Sequence, residues 1–255
     1  MEYIVEIKNL GKKYQSLNGE INALENINFS IRRGDFISIV GPSGCGKSTL
    51  LSLISGLIPK TYGRVIINGR ESPDVPDEIG YMLQKDQLFE WRTILENALL
   101  GLEIRKTLTK RTKEDVVQLL ATYGLFEFKD KYPSQLSGGM RQRAALIRTL
   151  ATKPEILLLD EAFSGLDYQT RLAVTEDIYF IIKKEGKTAI LVTHDIAESI
   201  SMSDRVIVLT KRPGRVKAVH EINLSCKNRT PLSSREAPEF RHYFNIIWRE
   251  LDVHV

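Results

Sequence analysis

The strongest chemical signal in the chain is the run Gly41-Pro42-Ser43-Gly44-Cys45-Gly46-Lys47-Ser48. It fits the pattern G-x-x-x-x-G-K-[ST], whose spacing suits the cradling of a polyphosphate. Glycines let backbone N–H groups turn inward as an anion nest, and the helix that follows adds positive potential at its N-terminus. Lys47 is placed to neutralise β- and γ-phosphates, Ser48 to hold magnesium, and Thr49 to reach the α-phosphate.

Two further segments carry candidate chemistry. Glu155-Ile156-Leu157-Leu158-Leu159-Asp160-Glu161 is an apolar strand ending in two acids. Asp160 can steady a magnesium shell. Glu161, one residue on, can accept a proton from an attacking water. Leu136-Ser137-Gly138-Gly139-Met140 opens a helix with a serine cap and adjacent glycines that expose backbone N–H groups. Since one cradle already exists, this second phosphate-binding spot is either a plain helix start or a contact for nucleotide held by another molecule.

The elements that must position these residues follow from periodicity. Tyr3–Ile7 and Ile27–Ile31 alternate as half-buried strands. Phe36–Val40 is a β-rich run entering the glycine turn, and Ser48–Ser55 reads as a helix stopped by Gly56. Arg64–Asn68 and Ile79–Leu83 are further strands. Helical patterns then dominate: Thr93–Lys106, Lys113–Tyr123 and Gly138–Thr152. Strands return at Ile156–Leu159 and Thr188–Val192 around the helix Tyr168–Glu185, which argues a parallel sheet with crossover helices and an inserted helical block. Arg205–Leu209 and Arg215–Ile222 flank a Pro213-Gly214 turn. A Ser/Pro-rich link, Ser225–Pro238, precedes an amphipathic helix whose stripe is Phe240, Tyr243, Phe244, Ile247, Trp248 and Leu251. That helix is expected to pack on its own domain, with a docking surface as the alternative.

At 255 residues, 42% apolar and 27% charged, the chain is of ordinary globular composition. A net charge of +4 is slight for this length and gives little reason to expect nucleic acid. The basic clusters Arg105–Lys113 and Lys211–Lys217 read as solvated surface. Cys45 and Cys226 make no disulfide framework and no zinc spacing, which suits a reducing cytoplasm. The amino terminus, from Met1-Glu2-Tyr3, has no leader-like core, and apolar runs fall far short of the ~20 residues of a membrane span.

In this order and spacing, the P-loop, the Leu136–Met140 segment and the Asp160-Glu161 strand resemble the ABC ATPases over roughly Tyr3–Ile222. Gln84 resembles that family's Q-loop glutamine, Ser164-Gly165-Leu166-Asp167 its D-loop, and His194 its switch histidine, while Tyr14 sits where an aromatic meets adenine. Met140 stands where many members carry glutamine. Cys45 fills a variable P-loop position, where its side chain is expected to be inert, with sensitivity of the activity to oxidation as the alternative.

The resemblance implies an α/β fold with a P-loop, RecA-like parallel-sheet core, an amino-terminal antiparallel β subdomain and an inserted helical subdomain near 90–153. Residues 1–224 would form the ATPase domain and 225–255 a linker and helix. It further implies ATP and magnesium as cofactors, with Ser48, Asp160 and Gln84 at the metal and Glu161, His194 and Gln84 in hydrolysis. Two copies would pair head to tail, Ser137, Gly138 and Gly139 of one facing nucleotide held by the other.

The segments Gln87–Asn97, Gly138–Arg143 and Arg212–Val216 resemble the nitrate, sulfonate and taurine importer group. That implies a peripheral subunit at the cytoplasmic face of the membrane, docked on permease subunits near Gln84–Trp91 and energising import of a small anionic or aromatic solute. The alternatives are a soluble ABC ATPase of DNA repair or ribosome function, or a membrane cassette that does not import. An extracytoplasmic solute-binding protein would be an indirect partner.

Overall fold

The computed structural model describes residues 3–16, 19–72 and 75–251; Met1-Glu2 of the leader reading and the last four residues of the 225–255 segment lie outside them. Strands β1 (Tyr3–Ser16) and β2 (Gly19–Arg32) are longer than alternation predicts. The reason is local. Their antiparallel register shifts between Ile7 and Leu10 and twice more by Lys13, and each irregularity resets which face a side chain takes. Asn9 and Asn26 absorb left-handed backbone there, at φ 49° and 50°, a region that asparagine tolerates.

After β3 (Phe36–Val40) and α1 (Lys47–Ile54) come β4 (Tyr62–Ile67) and the short β5 (Arg70–Glu71). These close a four-stranded antiparallel sheet in the order β2-β1-β4-β5. Strand β6 (Ile79–Met82) precedes three helices, α2 (Ile94–Ile104), α3 (Lys110–Thr122) and α4 (Gly138–Ala151). Thr93 starts α2 with a reciprocal capping box: its hydroxyl accepts from Glu96 N at 3.2 Å, and Glu96 accepts from Thr93 N at 2.7 Å.

The remaining elements are β7 (Ile156–Asp160), α5 (Tyr168–Lys184), β8 (Thr188–Val192), α6 (Ile196–Met202), β9 (Arg205–Leu209), β10 (Val216–Glu221), α7 (Pro231–Glu236) and α8 (Phe240–Glu250). The second sheet runs β10-β9-β3-β8-β7-β6, parallel except for the edge strand β10.

Strands β3, β7 and β8 are buried along their whole length, as a sheet covered on both faces requires. Leu157, Leu159 and Leu191 pack toward α2–α5, while Ile156, Leu158 and Ile190 pack toward α1 and the antiparallel sheet. Ile247 of α8 and Leu251 at its carboxyl end pack with Ile196, Ile200 and Ile222. The carboxyl ends of the parallel strands are thereby left as a crevice edge, where open α/β sheets take their ligands.

Two helices depart from the expected pattern. α6 is one seven-residue segment, too short for periodicity to mark. α7 lies inside the stretch read as a link: Thr230 caps it, with Pro231 in the first turn.

Candidate nucleotide site

The site is assembled from strand ends. β3 feeds the P-loop, β7 delivers Asp160 and Glu161, β8 delivers Thr193 and His194, and β6 leads to Gln84. Hydrogen bonds continue past the strands and lock these loops together. Glu161 N donates to Val192 O at 2.8 Å and Thr193 N to Ile39 O at 3.3 Å.

Left-handed backbone at Gly44 and Gly46, φ 72° and 105°, shapes the loop. At Gly46 a Cβ would also press to 2.8 Å from Leu24 Cδ2. Lys47 is 7% exposed, and its ammonium donates to Gly41 O at 2.8 Å and Pro42 O at 3.2 Å. The loop thus holds its own cation in place.

A cavity of about 510 Å³ opens above this loop. Its lining includes Ser43, Gly44, Gly46, Lys47, Ser48 and Thr49, with Tyr14, Ile21 and Ala23 on the antiparallel-sheet side and Glu161 and His194 beside them. Gly41 and Cys45 do not line it. Gly41 offers its carbonyl to Lys47, and Cys45 N donates to Pro42 O at 3.2 Å. The Cys45 side chain is buried in the core, and burial pushes its thiol up, which favours the unreactive protonated form. That placement favours the inert side chain over the oxidation-sensitive alternative.

Asp160 is fixed at both oxygens. Ser48 Oγ donates to Oδ1 at 3.0 Å and Tyr81 OH donates to Oδ2 at 3.1 Å. Burial pushes the Asp160 carboxyl above its ordinary range, with Glu161 adding in the same direction; Ser48, Tyr81 and Lys47 oppose the shift. Tyr81 is pushed up by burial and by the neighbouring Asp160 charge, which keeps its hydroxyl a donor.

Around Glu161 three loops converge. Gln84 Nε2 donates to Glu161 Oε2 at 3.2 Å and to Ser164 Oγ at 3.4 Å, and His194 Nδ1 lies 3.4 Å from the same Glu161 oxygen. Glu161 itself sits at φ 46°, a conformation that costs a non-glycine residue about 1–3 kcal/mol and clusters at functional sites.

Ser137, Gly138 and Gly139 lie elsewhere, at the start of α4, and none lines the cavity. Ser137 Oγ accepts from Met140 N at 3.3 Å. A Cβ on Gly139 would stand 2.7 Å from Val174 of α5, so close packing also requires glycine there.

The Ser48 hydroxyl and Asp160 carboxylate form an oxygen-donor pair suited to magnesium. Among the described residues no cluster of three or more His, Cys, Asp or Glu could hold a metal. Magnesium that is shared between one or two carboxylates, water and substrate phosphates needs no all-protein cage.

Two residues of the site escaped sequence reading. Tyr81 reaches Asp160 because β6 pairs with β7 with Tyr81 opposite Leu158; from sequence it was one aromatic in a strand. Arg212 belongs to the cluster read as solvated surface, yet it lines the cavity, and its Nε and Nη2 donate to Gly44 O at 3.1 and 2.9 Å. No periodicity marks such a contact, because the hairpin tip meets the P-loop only in three dimensions. Gly214, beside it, has no room for a Cβ, which would fall 2.2 Å from Cys45 O.

An anion-cradling loop after a parallel strand, with a magnesium-type carboxylate and an acid–histidine pair at neighbouring strand ends, defines a P-loop nucleotide hydrolase. Residues 24–164 match the ABC transporter family model. Among characterised and uncharacterised relatives, the chain is 48% identical over 239 residues to an uncharacterized ABC transporter ATP-binding protein, YtlC, of Bacillus subtilis (strain 168), covering 94% of this chain and 92% of that one.

It is 38% identical over 233 residues to the aliphatic sulfonates import ATP-binding protein SsuB of Bacillus thuringiensis subsp. konkukian, covering 91% and 92%. The dimeric post-hydrolysis structure of the ATP-binding cassette MJ0796 bound to ADP and Pi superposes with a TM-score of 0.73 at 33% identity, over 86% of this chain and 99% of that one. The chain belongs to the ABC transporter family and is its ATP-binding, ATP-hydrolysing subunit. No helix among the described residues is long and apolar enough to cross a membrane.

Proposed function

We propose that this chain energises an importer for a small anionic or aromatic solute, as one of two ATPase copies docked on separate membrane-spanning permease subunits. The observation that carries the mechanism is the convergence of Gln84 and His194 on the Glu161 carboxylate beside Asp160. In this reading Tyr14 stacks on adenine, the P-loop N–H groups with Lys47 hold the β- and γ-phosphates, and Thr49 reaches the α-phosphate. Magnesium held by Ser48 and Asp160, with Gln84 nearby, would offset phosphate charge.

Glu161 takes a proton from the attacking water as its oxygen bonds to the γ-phosphorus and the bond to the ADP oxygen breaks. His194 steadies the γ-phosphate. Ser137 and Gly139 of a second copy complete the cradle, so ATP adheres the two copies and hydrolysis releases them.

The import direction is supported by the 38% identity to an aliphatic sulfonates import protein. The outward surface after Gln84 offers a permease contact. Trp91 is 73% exposed and stacks on Phe89 with ring centroids 4.8 Å apart. An exposed tryptophan backed by a half-buried phenylalanine suits an amphipathic partner segment.

The test has two arms. Glu161→Gln should lower hydrolysis by roughly 100-fold or more while ATP affinity stays within twofold, measured by steady-state kinetics and by nucleotide titration. Purification of the tagged chain from native membranes should recover a multispanning permease. Recovery of ribosomes or DNA in its place would overturn the importer reading.

A further inference from the structure

Among the described residues, Tyr81 is the one side chain besides Ser48 that hydrogen-bonds the Asp160 carboxylate, and hydrolysis itself gives it no task. Its geometry is specific. The strand pairing sets Tyr81 opposite Leu158, two residues before Asp160 on the neighbouring strand. From there the phenol spans to the strand end, and its hydroxyl donates to Asp160 Oδ2 at 3.1 Å. The other oxygen, Oδ1, takes the Ser48 hydroxyl at 3.0 Å. Asp160 is 8% exposed, so water has little access to replace either donor.

The two donors differ in what they can do next. Ser48 lies in the P-loop helix and is itself a candidate metal ligand. Its hydroxyl oxygen can turn a lone pair to a cation while the O–H still donates to Asp160, so its position would answer to the metal as well as to the carboxylate. Tyr81 has no such second duty. Its ring is half-buried against the core that includes Ile79, Ile156 and Leu158, and that packing fixes where the hydroxyl stands. A buried carboxylate with one donor can rotate about its Cβ–Cγ bond; one pinned by a rigid phenol presents a chosen oxygen.

We propose that Tyr81 is a positioning residue for the metal: by holding Oδ2 it presents Asp160 Oδ1 to the magnesium shell at Ser48. The inference rests on the reading of Ser48 and Asp160 as the magnesium residues given above. It concerns the metal alone, and the nucleotide cradle is independent of it.

Tyr81→Phe removes one oxygen and keeps the ring. The wild-type chain and this variant are titrated with Mn²⁺ at saturating ATP, and bound metal is read by electron paramagnetic resonance. ATP affinity is measured separately with EDTA present, and melting temperature controls for folding. The expected result is about tenfold weaker Mn²⁺ binding, the lower end of the cost of removing a metal site's supporting partner, with EDTA-state ATP affinity within twofold of wild type. Ser48→Ala serves as the reference for loss of a direct ligand.

A Mn²⁺ affinity unchanged within twofold would overturn the proposal. So would an equal loss of ATP affinity in EDTA, because Tyr81 would then be supporting the P-loop and not the carboxylate. Failure of the underlying reading looks different: Ser48→Ala would leave Mn²⁺ binding intact.

Discussion

Glu198 shows how far a single side chain can depart from its surface habit. It is 3% exposed in the first turn of α6, four residues after His194. Burial pushes its carboxyl up to about 7, with Asp195 adding to the rise; a hydrogen bond from Thr193 and the charges of Arg171 and Arg235 oppose it. A carboxyl that binds its proton more tightly when folded stabilises the fold at low pH. That stability is lost as pH rises from the ordinary value of 4.5 through about 7. The interval corresponds to roughly 3 kcal/mol.

Carboxylates held low by partners, such as Glu155 beside Arg33, act at the acid end instead and do not overlap this window. Wild-type melting temperature should therefore fall between pH 5 and pH 8, and Glu198→Gln should flatten that slope. A scanning calorimetry series at the two pH values reads the difference. At the same scale, Gly214→Ala should both lower the melting temperature and weaken ATP binding, since its Cβ meets Cys45 O of the P-loop at 2.2 Å.

At the scale of elements, Asn97 explains how a loop with an exposed tryptophan keeps its shape. The residue is fully buried in α2. Its Oδ1 accepts from Phe89 N at 2.7 Å, and its Nδ2 donates to the carbonyls of Phe89, Arg92 and Thr93 at 3.0–3.1 Å. From the α4 side, Arg148 donates to Gln87 O at 2.6 Å and Asp86 O at 2.8 Å. The helices thus grip the segment between Gln84 and Trp91 from both sides.

Asn97→Ala leaves several backbone groups without partners, a cost of about 1–3 kcal/mol for each one that stays buried. A loss near 3 kcal/mol lowers the melting temperature by roughly 6–12 °C at this chain length, and Trp91 fluorescence should shift as the loop loosens. Asn97 was visible in sequence only as part of a family-like run. Its role depends on a helix folding back over its own leading loop, which spacing does not encode. The same limit hid the extent of β1 and β2, where bulges break alternation, and α6, which is shorter than two periods.

At the scale of the whole molecule, the feature that matters is the separation of the two glycine-rich spots. The P-loop lines the cavity, and Ser137, Gly138 and Gly139 do not. Under the head-to-tail pairing proposed above, a second copy would bring the two spots together, and the similar cassette MJ0796 is dimeric. Glu161→Gln with ATP should then double the mass measured by light scattering, with permease present if the isolated chain does not pair. Ser137→Phe, which leaves the P-loop untouched, should bind ATP at one copy yet stay monomeric. A monomer in the first case, or a dimer in the second, would count against a shared site.

The sequence by itself determined the chemistry of the phosphate cradle and the order of strands that carries it. The P-loop pattern, the Asp160-Glu161 strand end and the apolar runs at 36–40, 156–160 and 188–192 are local, because glycine placement and strand burial are imposed on neighbours in the chain. Only the tertiary structure decided how distant groups meet at the site, and added Tyr81 and Arg212 to those the motifs mark. Tyr81 meets Asp160, Arg212 meets Gly44, and Gln84 and His194 meet Glu161 through pairing and loop packing across 33 to 168 residues of chain. Such contacts are fixed by where the strands end, and no spacing in the linear sequence records that.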